Sequence, residues 1–276
     1  MGAGFRWLLG SSLASNIGDG VALAAGPLLV ASQTSNAFLV ALAALLQRLP
    51  WLLLGLYAGA LADRIDRRRL VMAADGARAV VLAVLALSIA TGHVSVAVVL
   101  GAMLLLGIAE VFADTATNTL LPMLVRPDDL GIGNARFQGS FLVANHIVGP
   151  PLGAFLFAAG MAVPFVTQGV LVAFAVVLVG RIVLPAHVPD PGERSHVLHE
   201  IREGLRWVWH HDAVRTLAVV IVAFNITWGA AWAVLVLYAI DHLGMGEVGF
   251  GLLTSAAAVG GLVSTSLYDR IERRFD

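Results

Sequence analysis

Residues 59–69 read Gly59-Ala60-Leu61-Ala62-Asp63-Arg64-Ile65-Asp66-Arg67-Arg68-Arg69. An apolar run from Ala37 ends in this stretch, and another starts at Leu70. Two carboxylates and four arginines crowd the seven residues from Asp63 to Arg69. A polar link this short between two apolar runs fits a tight turn at a membrane surface, because about 20 apolar residues span a bilayer. The pattern returns 206 residues later: Gly55 to Arg69 can be laid on Gly261 to Phe275 without a gap. Eight of the fifteen positions are identical, and Asp66 meets Glu272. Such a repeat points to a chain built from two similar units.

Composition agrees with a membrane setting. The 276 residues are 59% apolar and 13% charged, with mean hydropathy +0.87. A soluble domain is nearer about 45–50% apolar and 25% charged, so too little polar surface exists here to coat a soluble globule. Cysteine is absent, which excludes disulfide and thiol chemistry. The first apolar run is interrupted by Asn16 and Asp19 and lacks a small-residue cleavage site, so it reads as a span and not as a signal peptide.

Eight spans are expected, roughly 6–31, 37–61, 70–91, 94–120, 135–159, 162–185, 214–240 and 247–268. The fold class is therefore all-α and polytopic. The links alternate between two sides, and the arginines divide cleanly between them. Fourteen of the 17 fall in or beside the N-terminus and links 62–69, 121–134, 186–213 and 269–276. Arg48, Arg78 and Arg181 lie within spans, and the opposite links have none. By the positive-inside rule the N-terminus is cytoplasmic. The longest link, 186–213, carries Leu198, Ile201, Leu205 and Val208 at helical spacing, with charges between them. It predicts an amphipathic helix on the cytoplasmic interface, anchored by Trp207 and Trp209. The expected organisation is a six-span bundle over 1–185, that linker over 186–213, and the start of a second bundle over 214–276. Asn16-Ile17 in span one has a counterpart in Asn225-Ile226 of span seven.

The stretch Gly59 to Arg69 resembles the signature between spans two and three of major facilitator superfamily transporters. The resemblance is nearest to the exporter branch that includes enterobactin-exporter-like and macrolide-efflux-like proteins. Supporting stretches are Ser15-Asn16-Ile17-Gly18-Asp19-Gly20, Glu110-Val111-Phe112-Ala113-Asp114, Leu121-Pro122, Gly149-Pro150-Pro151-Leu152-Gly153 and Glu203-Gly204-Leu205-Arg206. The resemblance covers the whole chain. It implies a twelve-span fold of which about eight spans are present, so a C-terminally truncated chain is expected. It also implies secondary active transport, with proton-coupled export of a drug-like or siderophore-like small molecule across the bacterial cytoplasmic membrane. Gly149, Pro150 and Gly153 resemble the antiporter motif of span five, although Pro151 is extra and Ala154 stands where a glycine is often found. Asp269, Arg270 and Arg273 are the second-half copy of the signature.

Ionisable groups within spans are costly and so are functional candidates. At about 1.5 Å per residue, Asp19 lies about 18–20 Å into span one and Arg48 about 16 Å into span two, both near the midplane. Asp19, between two glycines, is placed either to exchange a proton with a substrate cation or to bond loosened backbone and pair with Arg48. Arg48 is either that counter-ion or a site for an anionic substrate group. Asp75 and Arg78 share a face of span three, and Glu110 and Asp114 share a face of span four at matching depth. Asp19, Arg48 and Glu110 are the coupling candidates. Asp63, Arg67, Asp75, Arg78, Asp114 and Arg136 are expected to form an ion-pair cluster, acting as a cytoplasmic gate or as static packing. Gly55 with Gly59, and Gly149 with Gly153, are spaced for close helix approach. Gln47, Asn145, His146, Gln168 and Asn225 are polar within spans and suit either substrate contact or interhelical bonds.

The expected partners are a small-molecule substrate, protons and membrane lipids, with no cofactor, metal or nucleic acid. The main rival is an intramembrane enzyme. His196-Val197-Leu198-His199-Glu200 has the wrong order for a zinc motif. No G-x-S-x-G and no phosphate loop occurs. A non-transporting membrane protein is the other alternative, separated by whether four further spans follow.

Overall fold

The computed structural model describes residues 2–184, 197–256 and 260; of residues 197–202 and 205 it gives the backbone path alone. The described chain is helical, without strands. Helices α1 (Ala3–Gln33), α2 (Ala37–Arg64), α3 (Arg67–Ala90) and α4 (Val96–Leu124) follow one another through short links. A 3₁₀ turn (Pro127–Asp129) leads to α5 (Leu130–Phe141), a π-helical segment (Leu142–Val148) and α6 (Gly149–Ala159), which together form one span. After α7 (Val163–Gly180) come α8 (Val197–His210) and α9 (Asp212–Asp241). Residues 247–256 are helical. Seven spans among the described residues are long and apolar enough to cross a membrane. The second half of the expected eighth, residues 257–268, lies outside the described residues except for 260, as do Asp269, Arg270, Arg273 and linker residues 186–196 with His196.

The short polar links supply the helix starts. Asn36 Oδ1 accepts the Phe38 N–H at 2.9 Å, and Asp66 Oδ1 accepts that of Arg69 at 3.1 Å. Ser95 Oγ accepts the Val98 N–H at 3.4 Å. Each satisfies one donor that a helix start leaves unpaired. Asp66 is thus a cap as well as a surface charge. Gly92 and Gly244 have φ of 72° and 61°, the left-handed conformation that reverses the chain after α3 and α9.

Two apolar clusters stand at opposite ends of the bundle. At the end with links 34–36, 91–95, 160–162 and 242–246, Leu28, Val40, Leu85, Val99 and Phe157 pack with Val236, Ala239 and Phe250. At the arginine-rich end, Phe5, Leu8, Ala62, Leu70, Leu120, Phe137 and Val179 pack without any residue of α9. The chain after residue 212 therefore joins the first six spans at one end alone. At the other end α9 leaves Leu217, Ile221, Phe224 and Trp228 exposed, with Phe224, Trp228 and Trp232 stacked one turn apart.

Glycines set the closest crossings. A Cβ on Gly107 of α4 would run into the Gln47 carbonyl of α2, and one on Gly153 into the Val21 carbonyl of α1. A Cβ on Gly20 would lie 2.6 Å from the Asn145 carbonyl oxygen and 2.8 Å from that of Ala144. The expectation for Gly149 and Gly153 therefore holds. That for Gly55 and Gly59 does not: a Cβ at either meets nothing within 4 Å, because this face of α2 points away from the other described helices. Replacing Gly153 by valine is expected to force α1 and α6 apart at a cost of about 1–3 kcal/mol or more. The same change at Gly55 should leave the unfolding midpoint in detergent close to that of the parent.

The π segment answers to a local shortage of donors. In an α-helix the carbonyls of His146 and Ile147 would take the N–H groups of residues 150 and 151, but both are proline. The Gly149 N–H instead reaches back five residues to the Ala144 carbonyl.

Candidate functional site

Between the two apolar clusters lies a cavity of about 300 Å³, lined by α1, α2, α3, α4, the α5–π span and α7. Asp19, Arg48, Asp75, Arg78, Glu110 and Asp114 all line it, as do Gln47, Asn145, His146 and Gln168. Six ionisable groups expected at two depths thus share one chamber. Trp51, Phe137, Phe141 and Phe165 supply aromatic wall. Asn225 is not part of it; its amide donates to the Ile221 carbonyl on its own helix at 2.8 Å.

Arg78 is the hub. It is 1% exposed and lies on the same face of α3 as Asp75, one turn away. Its Nη1 donates to Asp75 Oδ1 at 3.0 Å and to Ser15 Oγ at 3.2 Å. Its Nη2 donates to Asp19 Oδ1 on α1. Asp19 Oδ1 also accepts from Gln168 Nε2 on α7 at 3.2 Å, and Oδ2 accepts from Ser15 Oγ at 3.4 Å. One guanidinium thus ties α1 to α3, and Gln168 brings in α7. The planar fork of arginine is suited to this, since it presents donors in two directions at once. Gly18 makes room for it: a Cβ there would press on Gln168 Cγ at 3.2 Å.

The expected pairing of Asp19 with Arg48 is corrected by this geometry. Depth along the membrane normal placed both near the midplane, but the α1 face that carries Asp19 looks at α3 and α7, and its ion pair is with Arg78. Arg48 is exposed to the cavity and forms no ion pair among the described residues. The close crossing of Gln47 on Gly107 sets Arg48 near the turn of α4 that carries Glu110. Glu110 and Asp114 likewise form no ion pair among the described residues, although both line the chamber. Four carboxylates therefore share the cavity with two guanidiniums.

The expected gate cluster divides in two. Asp75, Arg78 and Asp114 belong to the cavity. Asp63 and Arg67 sit at the turn between α2 and α3, where Arg67 Nη2 bonds Asp63 Oδ1 at 2.8 Å. There Arg67 Nε also donates to the Ala62 carbonyl at 3.1 Å, and Nη1 meets Met123 Sδ on α4 at 3.0 Å. Arg67 thus clamps the signature turn onto α4. Arg68 reaches further, donating to the Ile182 carbonyl at 3.0 Å. Arg136, on α5, does not line the cavity. Ser15 and Gln168 are the network members that charge-counting passes over. Their signal was a polar side chain within a span, which is a weak one.

A family model described as transmembrane secretion effector matches residues 2–276. The multidrug efflux pump Tap of Mycolicibacterium fortuitum is 31% identical over 96% of this chain and 66% of its own length. Tap of Mycobacterium tuberculosis (strain ATCC 25618 / H37Rv) is 30% identical over 95% and 64%. Macrolide efflux protein A of Streptococcus pyogenes is 24% identical over 88% and 61%. The chain thus spans about two thirds of the length of these curated relatives. Among solved structures, a bacterial homologue of the human lysosomal transporter Spinster, inward-facing and unoccupied, superposes with a TM-score of 0.70. That match has 16% identity and covers 97% of this chain and 63% of the other, and it concerns the fold alone. The chain belongs to the transmembrane secretion effector family of the major facilitator superfamily, a family of membrane transporters.

Proposed function

We propose that this chain contributes the substrate chamber of a secondary active exporter that exchanges protons for small amphipathic organic cations. The observation that carries the reading is the chamber itself, with four carboxylates, two guanidiniums and aromatic walls inside a membrane-spanning bundle. Two negative charges in excess, when all groups are ionised, must be met by protons or by a cation, because unpaired charge at such depth is costly. In this reading Arg78, Asp19 and Asp75 form the fixed frame. Glu110 and Asp114, without ion pairs, take a proton or the substrate's cationic group in turn, and Arg48 limits how much negative charge they carry together. Asp19 enters coupling by releasing or retaining Arg78. The Asp63–Arg67 turn is the gate on the arginine-rich side.

The relatives named as multidrug and macrolide efflux pumps support the direction and the substrate class. The arginine distribution supports a cytoplasmic N-terminus in the inner membrane, with Arg64, Arg69 and the α8 helix at the lipid headgroups. The proposed organisation is a first half over 1–185, a linker over 186–213 and a second half beginning at 214. Everted membrane vesicles energised by respiration test the reading. Ethidium should accumulate in vesicles that contain the protein, and a protonophore should abolish the accumulation. Accumulation that is absent, or indifferent to the protonophore, would argue against proton-coupled export.

A further inference from the structure

The extra proline of span five, Pro151, has a partner in the second half of the chain. Pro151 cannot donate to the Ile147 carbonyl, which would be its acceptor in an α-helix. A buried carbonyl without a donor is unfavourable. The Ser255 hydroxyl donates to that carbonyl at 3.2 Å, across 108 positions of sequence. Ser255 is 5% exposed and sits on the helix of residues 247–256. One turn before it, Gly251 lies so near α6 that a Cβ would be 2.8 Å from the Pro150 carbonyl oxygen and 2.5 Å from Ala154 Cβ. The proline pair and Ala154 thus form a socket, with Gly251 giving the fit and Ser255 the polar contact. Ala154 is itself fully buried, so a methyl stands at the centre of this contact.

This socket lies at the end of the bundle where the chain after residue 212 meets the first six spans, beside Phe157, Val236, Ala239 and Phe250. We infer that Ser255 is a positioning residue that holds this end of the chamber shut by supplying the hydrogen bond that Pro151 withholds from Ile147. Opening the chamber at this end requires the bond to break. The inference concerns how the two parts are held together, and it is independent of what the chamber carries.

The chain has no cysteine, so a single reporter can be placed on a clean background. Ala239 is fully buried in the shared apolar cluster, and Ala239→Cys reacts with a small maleimide only when this end opens. Ser255→Ala should raise the alkylation rate about three- to tenfold, the effect of one lost hydrogen bond. Ser255→Thr keeps the hydroxyl and should react at the parental rate. The decisive variant is Pro151→Ala, which restores a backbone N–H for Ile147. In that background Ser255→Ala should change the rate less than twofold, about the resolution of such a comparison. An unchanged rate in Ser255→Ala, or an equal increase with and without Pro151, would overturn the inference. The second outcome would show that Ser255 acts by packing and not through the carbonyl.

Discussion

Replacing Arg78 by leucine is expected to be the most damaging single change in the chain. The guanidinium is 1% exposed and is the ion-pair partner of both Asp19 and Asp75. Its loss leaves two buried carboxylates facing one another without compensation. Breaking a buried pair in this way costs about 3–5 kcal/mol, a large fraction of the stability of an ordinary domain. The inserted protein should unfold at a much lower temperature in detergent, and export should be lost. Adding Asp19→Asn and Asp75→Asn to Arg78→Leu should recover part of the folding without recovering export, because the uncompensated charges are then gone while the link from α1 to α3 is still missing. Thermal unfolding followed by size-exclusion profile checks both statements. A stable, monodisperse Arg78→Leu variant would remove Arg78 from the centre of the frame.

Replacing Glu110 by glutamine should act differently. Glu110 has no ion pair among the described residues, so the frame of Asp19, Arg78 and Asp75 is expected to survive. The amide can neither carry a proton nor offset a cation. Binding of tetraphenylphosphonium should weaken by about thirtyfold or more, equivalent to about 2 kcal/mol for a lost buried charge partner. The pH dependence of binding should flatten over the range in which the parent responds. The thermal midpoint should stay near that of the parent or rise, since one uncompensated buried charge has been removed. Parental affinity together with a parental pH profile would exclude Glu110 from coupling.

The level of each charge was legible in the sequence, but its bearing was not. Counting residues from the ends of the apolar runs placed Asp19 and Arg48 near the midplane, and matched Glu110 with Arg78. Helical spacing put Asp75 with Arg78 and Asp63 with Arg67, and the structure pairs both. Depth says nothing of which neighbour a helix face looks at, and Asp19 turned out to meet Arg78 on α3. The same gap explains the glycines. Gly55 and Gly149 start equally good four-residue spacings, yet only the second faces a helix among the described residues. Gln168 was visible only as a polar residue in an apolar run, and interhelical bonding explained it as well as a site did. The π segment followed from Pro150 and Pro151 together, a consequence of removing two donors in succession that periodicity does not register.

The central claim is that one chamber holds protons or an organic cation on Glu110 and Asp114, while Arg78 keeps the frame. Proton release on binding tests it most directly. Purified protein in weakly buffered detergent solution is titrated with tetraphenylphosphonium while a pH-indicating dye is followed. The account predicts that binding expels protons from the parent between about pH 6 and 8, the range in which an exchangeable buried carboxyl is useful for coupling, and that Glu110→Gln expels fewer. Saturable binding with no proton release at any pH in that range would contradict it.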